Sequence, residues 1–334
     1  MPSSRTDGLF PPRSGAGRPP LGLGTAPLAG LYSEVGDEQA LATIEVAYEL
    51  GVRVFDTAPL YGHGLGEARL GQALGHRERD FVLSTKVGRL LRASGPVDTT
   101  QVIDGKPLYA GTPSVNPVID FSAAGVRASL DESRARLGID EIDLVYIHDP
   151  DLRQRQAIEE AYPALARMRD AGEVRAIGVG VNQHELLCTL AREGDFDYFL
   201  LAGRYTLLDS SAAAELLPLC LERGIGVIAA GVFNSGVLAT PERHGRYDYR
   251  PASDAILARV DALKAVCRSH GVPLKAAALQ FPAAHPAIVS VVVGARSGSE
   301  IRENAAMYEF PIPGGLWRDL KRRGLIPEDA PVGV

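Results

Sequence analysis

The sequence predicts an α/β protein, a (β/α)8 TIM barrel with long loops over its C-terminal face, on three observations. Short β-branched apolar runs alternate with amphipathic stretches along nearly the whole chain, the pattern of βα units on a parallel sheet. Eight such runs can be marked with no break in composition between them. Three of them end in a polar residue, Asp56, Lys86 and His148, and in a barrel such ends converge on the face where active sites sit. A doubly wound sheet is the competing architecture. Its phosphate loop GxGxxG belongs directly after the first strand, and GLGTAPLAG does not fit there.

Taken in order, residues 1–20 are rich in Pro, Gly, Ser and Arg and are expected to form a mobile arm or a short hairpin closing the barrel floor. Residues 21–334 are expected to form a single barrel that includes a C-terminal extension. Strands are predicted at 21–25, 52–57, 81–86, 144–148, 175–179, 198–202, 226–230 and 289–293. Between them lie DEQALATIEVAYELG, FSAAGVRASLDESRARLG, RQAIEEAYPALARMRDAG, AAAELLPLCLERG and DAILARVDALKAVCRSHG, each stopping at a glycine as a left-handed helix cap favours. Two connections, 88–120 and 233–252, are too long for simple turns and follow strands, so both should hang over the catalytic face as substrate-shaping loops. After the eighth unit, FPIPGGLWRDLKRRGLI reads as an extended segment and a short helix that covers part of the barrel mouth, anchored by Trp317.

The chain has 334 residues, 46% of them hydrophobic, enough for one large core. A net charge of −6 without a basic run argues against nucleic acid or an anionic membrane as the main partner. The three cysteines, Cys188, Cys220 and Cys267, are widely spaced in apolar patterns and imply neither a disulfide framework nor a metal site. No signal core and no long apolar span is present, so a cytoplasmic protein is expected.

The chemistry is carried by four residues in chain order: Asp56 and Tyr61 in FDTAPLYGHGLGEARLG, Lys86 in FVLSTKVGR, and His148 in IDLVYIHDP. A tyrosine hydroxyl with a pKa near 10 is only about one part in a thousand ionised at neutral pH, so it needs a cation nearby to act as acid and base. Lys86 can supply that charge, Asp56 can hold the lysine, and His148 can donate a hydrogen bond to a substrate oxygen. A lysine closing an apolar strand is costly without a partner, which is itself a reason to expect the pair.

With these motifs the sequence resembles the aldo-keto reductase family over roughly residues 20–325, and DTAPLYG followed by GEARLG is the most specific part of the likeness. The resemblance implies that Asp56, Tyr61, Lys86 and His148 are the catalytic tetrad. It also implies a nicotinamide dinucleotide, NAD or NADP, extended across the barrel top. Thr25, Asn182 in IGVGVNQ, Arg204 in LLAGRYTLL and Gly231 fall at its cofactor positions, and Gly294, Ala295, Arg296 and Ser297 at its phosphate site, where helix-start amides attract anions. Three departures stand out. Gly180 and Val181 flank the usual serine position, Ala202 stands near the expected glutamine, and Ala230 replaces the aromatic residue that stacks on the nicotinamide. In the register set by Glu303 and Asn304, Glu300 occupies the place of an arginine that reads the 2′-phosphate, which leans the choice to NAD.

Within the family, GLGTAPLAGLY, LAGRYTLLD and AAGVFNSGVLAT look most like the branch that oxidises the hemiacetal carbon of an aldose of the L-fucose or D-threo type, or of pyridoxal, to a lactone. Tyr32, His63, Arg89 and Tyr109 are the candidate substrate residues and suit either ring. The alternatives are a general aldehyde or ketone reductase of the same family and a nucleotide-binding regulatory subunit without turnover. A metal-dependent hydrolase or aldolase using Asp56, His63, His148 and Asp149 is a further rival, disfavoured because barrel metal sites gather several histidines at strand ends and here only one histidine, His148, stands convincingly at one.

Overall fold

Eight parallel strands close into a barrel in the computed structural model, which describes residues 8–14, 17–94, 101–103, 105–239 and 245–333. The strands are β1 (Leu21–Gly24), β2 (Val54–Asp56), β3 (Val82–Val87), β4 (Leu144–His148), β5 (Ala176–Val181), β6 (Tyr198–Ala202), β7 (Gly226–Ala230) and β8 (Ile288–Gly294). They pair in the order β1-β8-β7-β6-β5-β4-β3-β2, each with its sequence neighbours. Alternate side chains separate two apolar layers. Val54, Val82, Leu144, Tyr146, Tyr198, Leu200, Ile228 and Val292 fill the barrel interior, and the larger core lies between the strands and the helices.

All eight predicted strands are present, displaced by one or two residues at some ends. β2 begins at Val54 because the Val52 amide turns back to the Ala47 carbonyl instead of joining the ladder. β5 runs on to Val181 because Gly180 and Val181 pair with Leu200 and Leu201 of β6.

The helices are α1 (Asp37–Glu49), α2 (Leu65–Leu74), α3 (Ala123–Leu137), α4 (Tyr162–Asp170), α5 (His184–Glu193), α6 (Leu216–Arg223), α7 (Asp254–Ser269), α8 (Leu274–Ala283), α9 (Gly298–Glu309) and α10 (Gly314–Arg322). Ser122 and Ser253 cap α3 and α7 by accepting from the amide three residues on, and Gly138 and Gly224 end α3 and α6 in the left-handed conformation. RQAIEEAYPALARMRDAG is not one regular helix. Pro163 has no amide to give to the turn before it, and the chain passes through a π turn at Ala157–Ala161 before α4. α8 is buried on nearly every side, so its sequence shows no amphipathic period.

At the N-terminal end of the barrel, Phe10 lies edge-on to Tyr198 with centroids 5.1 Å apart, and Arg13 donates to the carbonyls of Ala283, His285 and Ile288. Residues 1–7, 15 and 16 of the predicted arm lie outside the described residues. The C-terminal helix does not cover the mouth. α10 packs on α7, its His270–Asp319 contact is 2.8 Å, and Trp317 is buried with its ring 6.4 Å from that of Phe281 on α8.

Both long connections rise over the C-terminal face. The first starts as an antiparallel ladder, Arg89–Arg92 against Asn116–Ile119, hung directly on β3. Gly88 makes that junction at φ 103°, and any side chain there would overlap the Phe121 ring. Of this loop, residues 95–100 and 104 lie outside the described residues, as do 240–244 of the second.

Candidate active site

The C-terminal ends of β2, β3 and β4 deliver three of the predicted residues, and the turn after β2 delivers the fourth. Asp56 and Ser84 are register partners on adjacent strands, and Ser84 Oγ donates to Asp56 Oδ1 at 2.8 Å. The other carboxylate oxygen accepts from Lys86 Nζ at 2.6 Å, and a second ammonium proton goes to the Thr57 carbonyl at 2.8 Å. The side chain of Lys86 is 1% exposed and that of Asp56 is 5% exposed. Lys86 Nζ stands 4.6 Å from the centre of the Tyr61 ring, whose edge meets the His148 ring at 5.7 Å and 87°.

Their surroundings set the protonation states. Burial, reinforced by the negative charge of Asp56, raises the Tyr61 phenol well above its ordinary value, although part of its ring faces the cleft. Burial also lowers Lys86, against the raising pull of Asp56. His148 is pushed well below the usual imidazole value by burial and then by the positive charges of Arg89 and Lys86, so the ring is neutral near pH 7. A neutral imidazole still donates one N–H. The group is therefore a protonated phenol flanked by a buried ion pair and a neutral histidine, the parts needed to pass a proton to or from one substrate oxygen.

A cleft of about 240 Å³ opens over these groups and is lined by Tyr61, Lys86, His148, Arg89, Tyr109 and Asn182 among others. Its size suits a small molecule. Arg89 donates to the His148 carbonyl at 2.8 Å, and Tyr109 places its ring 6.3 Å from that of Tyr61. Tyr32 and His63, also predicted for substrate, do not line it. Both take positive φ, and the Tyr32 ring lies under the Arg246 guanidinium at 4.8 Å.

The predicted cofactor residues are spread more widely. Asn182 Nδ2 donates to the Ala202 carbonyl at 3.0 Å. Arg204 is turned toward the second long loop, bonded to both carboxylate oxygens of Asp248 at 2.8 and 3.0 Å. Thr25 is buried with its hydroxyl on Thr57, and Gly231 is a left-handed turn at φ 60° beside Gly203. In the loop after β8, Gly294 presses on Pro27 and Ala295 is buried. Arg296 reaches away to the carbonyls of Leu31, Ser33 and Glu34. Ser297 caps α9 by accepting from the Glu300 amide, and Glu300 returns its carboxylate to the Arg296 amide at 2.8 Å, close to a capping box. Glu303 pairs with Lys275 at 2.7 Å, and the buried Asn304 donates to the Gly294 carbonyl.

Among the cleft residues that the sequence does not mark as site residues are Tyr249 and Asp149. Tyr249 comes from the second long loop in RYDYR at φ 66° and stands beside Asn182 and Ala202; no periodic signal marks it. Asp149 directly follows His148, and its place in HDP is the signal that the sequence offers for it. Among the described residues, no group of three or more His, Cys, Asp and Glu is placed to share a metal ion, and no helix is long and apolar enough to cross a membrane.

Residues 20–322 match the model of the aldo/keto reductase family. The chain is 43% identical over 318 residues to a D-threo-aldose 1-dehydrogenase of a Pseudomonas species, covering 94% of this chain and 96% of that one. It is 41% identical over 322 residues to a pyridoxal 4-dehydrogenase of Microbacterium luteolum, covering 92% and 94%. Its fold is similar to that of an aldo-keto reductase from Bacillus halodurans solved in the holo form, with a TM-score of 0.72, 23% identity, and coverage of 90% of this chain and 91% of that one. The protein therefore belongs to the aldo/keto reductase family and is an NAD(P)-dependent oxidoreductase.

Proposed function

We propose that this protein oxidises the hemiacetal carbon of a cyclic aldose to a lactone, with NAD in preference to NADP, and that Asp56, Tyr61, Lys86 and His148 do the proton chemistry. The observation that carries the reading is that Tyr61, Lys86 and His148 line one cleft, with Asp56 bonded to Lys86 behind them, and that its wall also holds Arg89 and Asp149, a lining suited to a polyol. The likeness to a D-threo-aldose 1-dehydrogenase supports the same substrate class.

In oxidation, Tyr61 as phenolate takes the proton of the anomeric hydroxyl while the C–H bond breaks and its hydride leaves, so that the carbon–oxygen bond becomes the lactone carbonyl. The nicotinamide, when bound, supplies the hydride acceptor. Lys86 has given two of its three N–H groups to Asp56 and Thr57, and the third serves the phenolate. His148, held neutral, donates to the reacting oxygen and fixes its direction.

The residues fit a dinucleotide. The buried oxygen of Asn304 on α9 has no hydrogen-bond partner among the described residues, and the same helix starts at Ser297 shortly after the end of β8, where start amides favour an anion. Asn182 would hold the carboxamide end, and Tyr249 would supply the ring that Ala230 lacks. Glu300 would disfavour a 2′-phosphate. Residues 21–334 act as one unit in this reading.

The test is the absorbance of the reduced nicotinamide with NAD or NADP and a panel of L-fucose, D-arabinose, L-galactose, L-xylose, D-glucose and pyridoxal. At least one aldose should be oxidised well. Pyridoxal is the second reading, favoured by the three tyrosines of the cleft and by the likeness to a pyridoxal 4-dehydrogenase. Inert hemiacetals beside a rapidly reduced open-chain aldehyde would sink both.

A further inference from the structure

Asp149 is a cleft carboxylate that takes no part in the proton chemistry above. Asp149 follows His148 at the end of β4 and takes φ 42°, a left-handed conformation that a residue with a side chain enters at a cost. Its amide bonds to the Gly180 carbonyl at 3.0 Å, which pins that backbone to β5. The strained turn directs the carboxylate into the cleft. Oδ2 lies 3.5 Å from His148 Nε2 and 3.7 Å from the Arg89 guanidinium, and the residue shares the cleft wall with Tyr61, Tyr109 and Tyr249. Its charge is among those that raise all three phenols, as expected of a group facing the same space.

The placement is specific with respect to the reaction. An oxygen held by His148 Nε2 lies next to Asp149, and of the two neighbours of the anomeric carbon in an aldose ring, the ring oxygen can only accept whereas the hydroxyl of the neighbouring carbon can donate. We propose that Asp149 is a specificity-determining residue whose carboxylate accepts a hydrogen bond from that neighbouring hydroxyl, selecting aldoses that carry it. The inference rests on the aldose reading. Hydrogen bonds to a charged group are stronger than neutral ones, so a deoxygenated sugar, which offers Asp149 a C–H in place of that hydroxyl, is rejected more strongly than the loss of one neutral contact would suggest.

The experiment is a cycle of two sugars and three proteins: L-fucose and 2-deoxy-L-fucose with wild type, Asp149→Asn and Asp149→Gly. Both replacements tolerate the left-handed backbone, and thermal unfolding of each is read alongside. The wild type should favour L-fucose in kcat/KM by about tenfold or more. That ratio should fall toward unity in Asp149→Gly, with Asp149→Asn between. A wild type indifferent to the deoxygenation, or a ratio that survives in Asp149→Gly, overturns the assignment. So does an equal loss on both sugars, which would mean that Asp149 acts through His148. A wild type that oxidises pyridoxal and no aldose brings down the aldose reading itself, and wild-type rates alone reveal that case.

Discussion

Lys86 Nζ lies 2.6 Å from Asp56 Oδ2, and both side chains are closed off from bulk water. Breaking such a pair leaves one charge buried and unpaired, at a cost of about 3–5 kcal/mol, so its two halves are expected to differ from Tyr61 in what their loss does. Tyr61→Phe removes one hydroxyl and little volume. It should lower kcat by about 10² to 10⁴ while leaving cofactor affinity and thermal stability near wild type. Lys86→Met should lower both the rate and the unfolding temperature. Near wild-type turnover in Tyr61→Phe would remove this residue from the proton transfer.

The raised phenol of Tyr61 has a signed consequence for pH. Only the phenolate accepts a proton, and a pKa above the ordinary value keeps the base form scarce near neutrality. The rate of the hydride step in oxidation, followed in a single turnover, should therefore climb steadily between about pH 6 and 10. Reduction uses the phenol and should stay level over the same range. A single-turnover oxidation rate independent of pH would count against Tyr61 as the base.

Gly88 joins β3 to the ladder that carries Arg89. Gly88→Ala places a methyl group against the Phe121 ring at φ 103°, where an alanine is also strained. A loss of roughly 2–4 kcal/mol in unfolding free energy is expected. The cleft should lose activity in the folded fraction as well, because Arg89 is bonded to the His148 carbonyl. Chemical denaturation together with kcat/KM measures both.

The barrel was legible because each strand is a short apolar run and the polar residues that matter end those runs, so that Asp56, Lys86 and His148 mark both the period and the face. α8 was hidden because a helix buried all round carries no period. The turn before α4 was hidden because the effect of Pro163 falls on the preceding turn. The cluster of Asp56, Tyr61, Lys86 and His148 could be read from local sequence, whereas the side of the cleft proposed for the cofactor depends on where long loops come to rest. Tyr249 reaches the cleft from a loop whose path no local pattern sets, and Arg204 is turned away by Asp248, 44 residues further along the chain.

Tyr249 offers a ring beside Asn182 where Ala230 offers none. Tyr249→Ala should weaken binding of the reduced cofactor by about five- to tenfold, and Tyr249→Phe should keep most of it, since the contact is made by the ring face. Fluorescence titration of the reduced nicotinamide reads this without turnover. Equal affinity in all three proteins would assign the nicotinamide contact elsewhere.

The proposed preference for NAD rests on Glu300, whose carboxylate accepts from the Arg296 amide at the start of α9. Replacing it by arginine would remove that contact together with the charge, at a cost of about 1 kcal/mol in helix stability. Glu300→Gln separates the two, because glutamine can keep the same hydrogen bond. If the charge repels a 2′-phosphate, Glu300→Gln should tighten NADP binding by about three- to fivefold, a modest effect because the group is exposed and screened, and leave NAD nearly unchanged. Glu300→Arg should go further and make NADP binding more sensitive to salt. The wild type should prefer NAD. A wild-type preference for NADP that neither substitution alters would place the phosphate at another cation. Arg302 would then be the first to change, because the Arg296 guanidinium is already held by the carbonyls of Leu31, Ser33 and Glu34, whereas Arg302 is exposed with its nearest carboxylate, Glu49, 4.0 Å away.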